Sequence, residues 1–352
     1  MSDDIHNRKK SHIEIASSER GRFARTTTLL DEVTLVHQGL PELSLDEIDT
    51  SIELFGRRLS APLMIGAMTG GTNEAARINK DLAGLASSLG IGFCLGSQRI
   101  MVERPETESS FQVRDVAPNA LIVGNIGVVQ ARAMDPVQVS RLVDAVGADA
   151  MAVHVNPAHE LIQADGDRDF RGCVDTTGEL ASILPVPVIV KETGCGLSRQ
   201  AAEALVGRGV LHVEVGGAGG TSWVKVEKER QTAQGKHTEK IGDVLGEWGI
   251  PTAASLSLLS DLPLTMIAGG GIRDGLDMAR AVSLGATACA VAQPVLAAYR
   301  DGGVAGVRSL LEEMIGAFRA ICLLTGSANS GALRDATRII GPNLERWRLQ
   351  GR

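Results

Sequence analysis

The sequence predicts an α/β protein built on a (β/α)8 (TIM) barrel. Three observations support this fold: short apolar runs at regular intervals, helical patterns between them, and an unusual composition. Aromatic residues make up only 3% of the 352 residues, whereas glycine occurs 41 times. A core with few rings must be filled by aliphatic side chains, and many glycines permit tight turns and close backbone approaches. That combination is typical of parallel strands joined by glycine loops.

Eight apolar runs have the length of strands, and most are continuously apolar, as expected for strands buried on both faces. Most lie roughly 25–35 residues apart, the length of a strand–helix unit. The predicted strands are residues 62–67, 91–95, 120–123, 150–155, 186–190, 211–215, 264–268 and 287–292. An open doubly wound sheet is the alternative fold, but no early GxGxxG turn supports it.

Helical patterns lie between the predicted strands. Asp135 followed by Pro136 predicts a helix start, and Gly147 predicts its end. Apolar residues repeat between them at helical spacing. Further stripes of this kind are formed by Leu82, Leu85, Ala86 and Leu89, and by Val307, Leu310, Leu311, Met314, Phe318 and Ile321.

Two segments lie outside the plain barrel pattern. Residues 1–60 form a predicted N-terminal extension with a basic cluster at Arg8 and Lys9, and residues 61–352 form the predicted barrel domain. Residues 221–262 enlarge the sixth unit. Their front half, residues 225–240, is crowded with charge and predicts a mobile loop inserted after the sixth strand.

Composition excludes several classes of protein. With 44% hydrophobic and 22% charged residues the chain is globular, and its net charge of −7 argues against nucleic acid as a partner. No apolar run reaches the ~18 residues of a membrane helix, and no secretory signal is expected. The five cysteines are scattered without a CxxC pair, which indicates a reducing compartment and no structural zinc. We therefore expect a cytoplasmic location.

Polar and glycine residues follow nearly every predicted strand. In a (β/α)8 barrel the active site lies at the C-terminal ends of the strands. The segments are Ala67–Gly71, Ser97–Arg99, Gly124–Asn125, His154–Asn156, Lys191–Glu192, Gly216–Thr221, Gly269–Arg273 and Ala292–Gln293.

The last two segments predict a phosphate site, because phosphate in this fold commonly binds backbone N–H groups there. Arg273 adds a charge; the alternative is a plain glycine turn before a helix capped by Asp274. Lys191 emerges from an apolar strand, where a lone ammonium is costly. It suits a flavin, whose reduced anion a cation stabilises, although pairing with Glu192 is an alternative.

The fourth loop carries the densest polar cluster. His154, Asn156, His159, Glu160 and Gln163 lie within ten residues. Glu160 is a candidate Mg²⁺ ligand, because Mg²⁺ commonly takes one or two carboxylates together with phosphate oxygens. The alternative is an acidic loop exposed to solvent.

Nearly the whole sequence resembles the type 2 isopentenyl diphosphate isomerases, which use FMN on a (β/α)8 barrel. The resemblance rests on ordered motifs rather than on any single glycine turn. They are Arg8-Lys9-x-x-His12-Ile13, Ala67–Gly71, Ser97–Arg99, His154-x-Asn156-Pro157, Gly166–Phe170, Lys191-Glu192, Gly216–Trp223, Trp248–Thr252 and Gly270–Gly275.

The resemblance implies roles at matching positions. Mg²⁺ would bridge Glu160 and the substrate diphosphate. FMN would be held by Ala67, Met68, Thr69, Ser97, Asn125, Lys191, Thr221, Gly270, Gly271, Ile272, Arg273, Ala292 and Gln293. The isoprenoid diphosphate would contact Arg8, Lys9, His12, Ser97, Gln98, Arg99, His154, Asn156 and His159.

The implied reaction is a 1,3-proton shift that moves a terminal double bond to the allylic position without net redox change. FMN must first be reduced, in this family by NADPH or NADH, and the N-terminal basic segment would close the site to water. The family also implies a homo-oligomer, a tetramer or larger.

One position departs from the family pattern. His159 stands where the family has a glutamine that is thought to assist proton transfer or orient the alkene. Histidine has an unperturbed pKa near 6.5 and can act as a general acid or base. Three interpretations are open: His159 is the catalytic group for the same reaction, the substrate is a different prenyl phosphate, or isomerase activity is impaired. Glu214 and Gly269 also replace an expected Asp and Ser.

Two other functional classes are compatible with the barrel. A 2-hydroxy acid oxidase on the same barrel needs a His after the sixth strand, and residues 215–223 contain none. A noncatalytic protein that binds flavin or prenyl phosphate is the second. The polar strand ends argue against it, whereas the loss of the glutamine favours it.

Overall fold

The structure, a computed structural model, describes residues 15–16, 18–233 and 240–351. Its centre is a closed barrel of eight parallel strands, so the predicted fold is confirmed. Every predicted strand position holds a barrel strand. The barrel strands are β4 (Leu63–Ile65), β5 (Gly92–Cys94), β6 (Ile122–Gly127), β7 (Ala150–Val155), β8 (Val188–Glu192), β9 (His212–Glu214), β10 (Thr265–Gly269) and β11 (Ala288–Val291).

Helices cover the outside of the barrel. Asp135 caps the helix that starts at Pro136, where its side chain accepts a hydrogen bond from the Val137 amide, and Gly147 ends that helix in the left-handed conformation, as predicted. The helices are α1 (Asn73–Leu89), α2 (Arg99–Glu103), α3 (Val128–Arg132), α4 (Pro136–Val146), α5 (Pro157–Ile162), α6 (Cys173–Ile183), α7 (Arg199–Val206), α8 (Trp223–Ala233), α9 (Ile241–Leu245), α10 (Thr252–Leu259), α11 (Gly275–Ser283), α12 (Gln293–Leu324, broken at Gly303) and α13 (Pro342–Gln350).

The N-terminal extension contributes two small sheets. Strand β1 (Val33–Leu35) pairs antiparallel with β12 (Arg338–Ile340), and β2 (Ile52–Leu54) forms a hairpin with β3 (Arg57–Leu59). Leu54 and Leu59 belong to the cluster of small and aliphatic side chains that fills the barrel interior. The hairpin therefore closes the end of the barrel where the strands begin. The division of the chain at residue 60 stays a prediction.

The prediction of a mobile loop over residues 225–240 is wrong for its front half. Residues through Ala233 form helix α8, in which Val224 and Val226 are buried. Val226 packs with Ile15, Ala16 and Trp223. The many charged residues favoured an exposed loop in the prediction. Two of them, Glu227 and Arg230, are instead buried in the protein as an ion pair. Residues 234–239 lie outside the described part of the chain.

Two further observations concern membrane-spanning helices and cysteines. In the described residues, no helix combines the length and apolarity that crossing a bilayer requires. All five cysteines are free thiols.

Candidate functional site

The predicted site residues that the structure describes lie at one end of the barrel. Because all eight strands are parallel, their C-terminal ends share one rim. The pairing of β7, β8 and β9 places His154 beside Lys191, and Lys191 beside Glu214. These three side chains come from neighbouring strands at one level of the barrel mouth.

Lys191 forms an ion pair with Glu214 rather than with Glu192. Its Nζ contacts Glu214 Oε1, and the two side chains are only 15% and 6% exposed. Adjacency in the chain had suggested Glu192 as the alternative partner. Alternation along a strand sends Lys191 and Glu192 to opposite faces, whereas the next strand brings Glu214 to the same face.

Glu192 instead shapes the loop that follows β8. Its Oε2 accepts hydrogen bonds from the amides of Gly194 (2.7 Å), Cys195 (2.5 Å) and Gly196 (2.9 Å). Burial raises the pKa of this carboxyl to about 7, although the three amides oppose that shift. Glu192 thus holds the rim loop in place, and Lys191 extends into the barrel mouth.

His154 is held by Asn125 in a defined tautomer. Asn125 Nδ2 donates to the Leu95 carbonyl (3.1 Å), which leaves Asn125 Oδ1 to accept from His154 Nδ1 (2.8 Å). Burial, aided by the charge of Lys191, lowers the pKa of His154 to about 4. The ring is therefore neutral at pH 7, with Nε2 as an acceptor. An anion bound beside it would favour its protonation.

The three predicted residues after β5 differ in their exposure to solvent. Gln98 is fully buried; its Nε2 donates to the Leu142 carbonyl (2.9 Å), and its Oε1 accepts from the Asn125 amide (2.9 Å). The structure thus places Gln98 behind the rim, where it positions Asn125. Arg99 is exposed and pairs with Glu103 (2.6 Å), while Ser97 is half-buried.

Glu160 offers a single carboxylate on helix α5. Asn156 Nδ2 donates to its Oε1 (2.8 Å), and the Asp167 amide donates to its Oε2 (2.9 Å). The described residues contain no group of three or more His, Cys, Asp or Glu side chains suited to a metal ion. Each carboxylate oxygen retains an acceptor position. This donor set fits Mg²⁺ only when phosphate oxygens and water complete the shell.

His159, on the same helix, lies among polar and aromatic neighbours. Gln163 Nε2 is 3.3 Å from its Nδ1 and 3.2 Å from its Nε2, and Asn156 Nδ2 is 3.4 Å from Nδ1. The ring centroids of His159 and Trp223 are 5.6 Å apart. The imidazole is half-buried, so its position is restricted but open to a ligand.

The loop after β10 has the features of a phosphate site. Gly270 (φ 91°) and Gly271 (φ 78°) adopt left-handed conformations. Thr252 Oγ1 donates to the Gly270 carbonyl (2.5 Å), which fixes the loop from behind. Within the described part of the chain, the amides of Gly270, Gly271 and Ile272 donate no hydrogen bond. These donors, the exposed Arg273 and the start of α12 at Gln293 fit the phosphate of FMN.

The remaining predicted FMN residues lie on the same rim. Ala67, Met68, Thr221 and Ala292 are half-buried, which leaves part of each open at the mouth, whereas Thr69 is buried. The Thr69 carbonyl accepts hydrogen bonds from Gly96 and Asn79. The predicted substrate residues Arg8, Lys9 and His12 lie outside the described residues.

Glu247 is a rim residue that was not among the predicted site residues. Its carboxylate accepts hydrogen bonds from the amides of Ala24, Arg25 and Thr26 and pairs with Lys225. It therefore fastens the N-terminal extension to the segment between β9 and β10. In the sequence, the indication of its importance was its place directly before the motif Trp248–Thr252.

A second unpredicted cluster lies on helix α8, at its contact with the helix that carries His159. Glu227 is fully buried and binds Arg230 through two hydrogen bonds (2.9 and 2.6 Å). Gln231 Nε2 donates to Glu227 Oε1 (2.8 Å) and to the Ile162 carbonyl (2.7 Å). The cluster joins α8 to α5, the helix that carries His159. Its spacing at positions i, i+3 and i+4 was the signal in the sequence.

Comparison with known proteins places the chain among flavin-dependent enzymes. The model of the FMN-dependent dehydrogenase family matches residues 132–338. Curated relatives called isopentenyl-diphosphate delta-isomerase include one from Methanosarcina acetivorans, 40% identical over 95% of this chain and 91% of its own. Another, from Synechococcus sp., is 43% identical over 93% of this chain and 94% of its own.

Solved structures confirm the architecture alone. A mandelate oxidase with (S)-4-hydroxymandelic acid superposes with a TM-score of 0.63 over 96% of this chain and 98% of its own, at 18% identity. A mandelate oxidase variant with 2-hydroxy-phenylacetamide gives the same TM-score. At this level of identity the likeness carries the fold and not the reaction.

Proposed function

Because the chain belongs to the type 2, FMN-dependent family of isopentenyl-diphosphate delta-isomerases, we propose that it converts isopentenyl diphosphate to dimethylallyl diphosphate by a 1,3-proton shift. The observation that carries this proposal is the identity of about two residues in five with isomerases along nearly the whole chain. The rim geometry supports it, because a phosphate loop, a cation and a single carboxylate lie at one barrel mouth.

FMN is proposed to bind with its phosphate on the loop from Gly270 to Arg273 and its ring system near Asn125 and Lys191. When bound and reduced by NADPH, it supplies a group that exchanges protons beside the alkene. Lys191 contributes a positive charge where the reduced ring carries a negative one. Thr252 and Glu192 act from behind, since they hold the loops in place.

The substrate diphosphate is proposed to bind across His154, Asn156 and Arg99, and Glu160 would hold the Mg²⁺ that offsets part of its negative charge. A diphosphate needs several charged donors, and charge-assisted hydrogen bonds are the strongest available. Arg8, Lys9 and His12 are proposed to complete the set by closing over the mouth. Exclusion of water protects a carbocation-like transition state from capture.

His159 is proposed as the group that handles a proton at the alkene. Asn156 Nδ2 lies 3.4 Å from His159 Nδ1 and donates to Glu160 Oε1 (2.8 Å), so both side chains lie beside one amide. A diphosphate held at Glu160 would leave its hydrocarbon end within reach of the imidazole. Gln163 and Trp223 restrict the ring. Histidine can take or give a proton near neutral pH, which the family glutamine cannot do as readily.

Two finer points belong to the same proposal. A cytoplasmic homo-oligomer, tetrameric or larger, is expected from the family resemblance. A different prenyl phosphate is the alternative substrate, and it is favoured by one observation: the residue next to the metal-ligand position is His159 and not glutamine. An oxidase is the weaker alternative, because residues 215–223 provide no histidine base.

The test is turnover by purified protein that has been loaded with FMN, reduced anaerobically with NADPH and supplied with Mg²⁺. We expect a yellow protein and formation of dimethylallyl diphosphate from isopentenyl diphosphate. Bound flavin without allylic product would exclude the isomerase proposal. Assays of this reduced preparation with longer prenyl diphosphates test the first alternative. Assays of the oxidised, FMN-loaded protein in air with 2-hydroxy acids test the second.

A further inference from the structure

The Lys191–Glu214 ion pair lies at the barrel mouth, beside a position on the next strand that carries no side chain. Glu214 ends strand β9 and is 5% exposed, and its Oε1 contacts Lys191 Nζ on the neighbouring strand β8. A carboxylate that is almost removed from water needs partners of this kind, because an unpaired buried charge is costly. The pair therefore fixes where the ammonium of Lys191 lies.

Gly269, at the end of strand β10, provides that space. A Cβ atom built on Gly269 would lie 2.5 Å from Glu214 Oε1 and 3.2 Å from its Cγ and Cδ. The backbone of Gly269 is not left-handed, so its conformation is open to any residue. The glycine is thus required by the neighbouring carboxylate and not by the backbone.

We propose that Glu214 is a positioning residue for Lys191, and that the absence of a side chain at Gly269 is what lets Glu214 reach it. Glu214 fixes the location of the Lys191 ammonium, and its negative charge offsets the positive charge that faces the flavin. This inference rests on the proposed function in one respect: the ligand in front of Lys191 is an FMN ring or an anionic group of similar charge.

The pairing has an electrostatic consequence. A free ammonium beside the flavin would stabilise the reduced, anionic ring strongly, whereas an ammonium paired with a carboxylate stabilises it less. Loss of the Glu214 charge therefore favours the reduced form. Displacement of Glu214 from Lys191 has the same effect, although the carboxylate itself is retained.

The steric half of the proposal is tested in the flavin-free protein. Gly269→Ala is expected to lower the equilibrium constant for folding tenfold or more, because overpacked sites are strained. In a Glu214→Asp background the shorter side chain vacates the space, so the same substitution is expected to cost little. Gly39→Ala is the control, since Gly39 lies in a loop, its backbone is not left-handed, and a Cβ there meets no atom within 4 Å.

Chemical denaturation of the four proteins in this cycle decides between the outcomes. A cost of Gly269→Ala that is much smaller in the Glu214→Asp background supports steric coupling. An equal cost in both backgrounds, or no cost in either, overturns it. This measurement needs no flavin, so it judges the pair even if the proposed isomerase function fails.

The electrostatic half is tested with FMN bound to Glu214→Gln, which keeps the size of the side chain and removes its charge. The flavin reduction potential is expected to become more positive, because Lys191 loses the carboxylate that offsets its charge. Gly269→Ala is expected to move the potential in the same direction. An unchanged potential in both variants would overturn the positioning role, because a purely structural role predicts altered stability alone.

Discussion

At the scale of single residues, His159 distinguishes this chain from the family pattern, and its role can be tested by restoring the glutamine. His159→Gln is expected to retain isomerase activity with a flatter dependence on pH, because an amide does not titrate. His159→Ala is expected to lower kcat by ~10²–10⁴, the usual contribution of a general acid or base. The measurement is kcat from pH 5 to 9 for the three proteins. A pH profile identical in wild type and His159→Gln would make the imidazole a bystander.

A second residue-scale prediction concerns His154, whose pKa burial and Lys191 lower from 6.5 to about 4. The unfolded chain takes up a proton at this histidine near pH 6.5, whereas the folded protein does so only near pH 4. The free energy of unfolding is therefore expected to fall as pH decreases across that interval. Urea denaturation should show a smaller fall in His154→Asn, which cannot be protonated. An identical fall in both proteins would contradict the assigned neutral ring.

At the scale of structural elements, Glu247 fastens the N-terminal extension to the segment after β9. Burial opposes its ionisation, but Lys225 and the amides of residues 24–26 outweigh that effect and lower the pKa of this carboxyl to about 2. The stabilisation is complete above pH 4.5 and is lost as pH falls toward 2.

Glu247→Gln is expected to destabilise the fold by about 1–3 kcal/mol, since a charged acceptor of several hydrogen bonds is lost. It is also expected to raise KM for the diphosphate, because Arg8, Lys9 and His12 precede the anchored segment. Limited proteolysis near residues 22–28 measures the loosening. Glu312→Gln is the control, because that carboxylate pairs with Arg308 at the exposed surface; equal cleavage of both variants would exclude the anchor.

The same scale shows where sequence reasoning succeeds. Strand positions were predictable because barrel strands are buried on both faces and appear as uninterrupted apolar runs. Helix α8 was not predictable, because the residue types of Glu227 and Arg230 do not distinguish a buried ion pair from charges exposed to solvent. The partner of Lys191 was not predictable either, since it depends on which residue of β9 lies opposite, and spacing along the chain does not give that register.

At the scale of the whole molecule, the β2–β3 hairpin seals the barrel at the end opposite the site. Leu59→Ala is expected to destabilise the protein by ~2–5 kcal/mol, because its side chain is 2% exposed within the interior cluster. FMN affinity of the folded variant should stay unchanged, because the binding rim lies at the other end. Denaturation and flavin titration measure the two effects, with Leu40→Ala as the exposed control. Weakened flavin binding in Leu59→Ala would contradict this separation of stability from function.

The candidate site as a whole was predictable because polar strand ends of a parallel barrel must meet at one rim. What each residue does there was less so. Gln98 belongs to the motif Ser97–Arg99, yet its buried side-chain amide forms hydrogen bonds with the backbone of Leu142 and Asn125. Whether a polar side chain faces the ligand or braces a neighbour depends on its orientation about the strand end, which the motif alone does not specify.

The antiparallel contact of β1 with β12 joins segments more than 300 residues apart. During synthesis on the ribosome, residues 33–35 emerge about 300 residues before their partners, so they cannot pair until residues 338–340 have been made. The Glu32 carboxylate likewise accepts a hydrogen bond from the amide of Leu344 (2.8 Å), which is also synthesised much later. Completion of the N-terminal extension is thus deferred until residues 338–344 have been synthesised, so a nascent chain halted before residue 338 would expose residues 33–35 to chaperones.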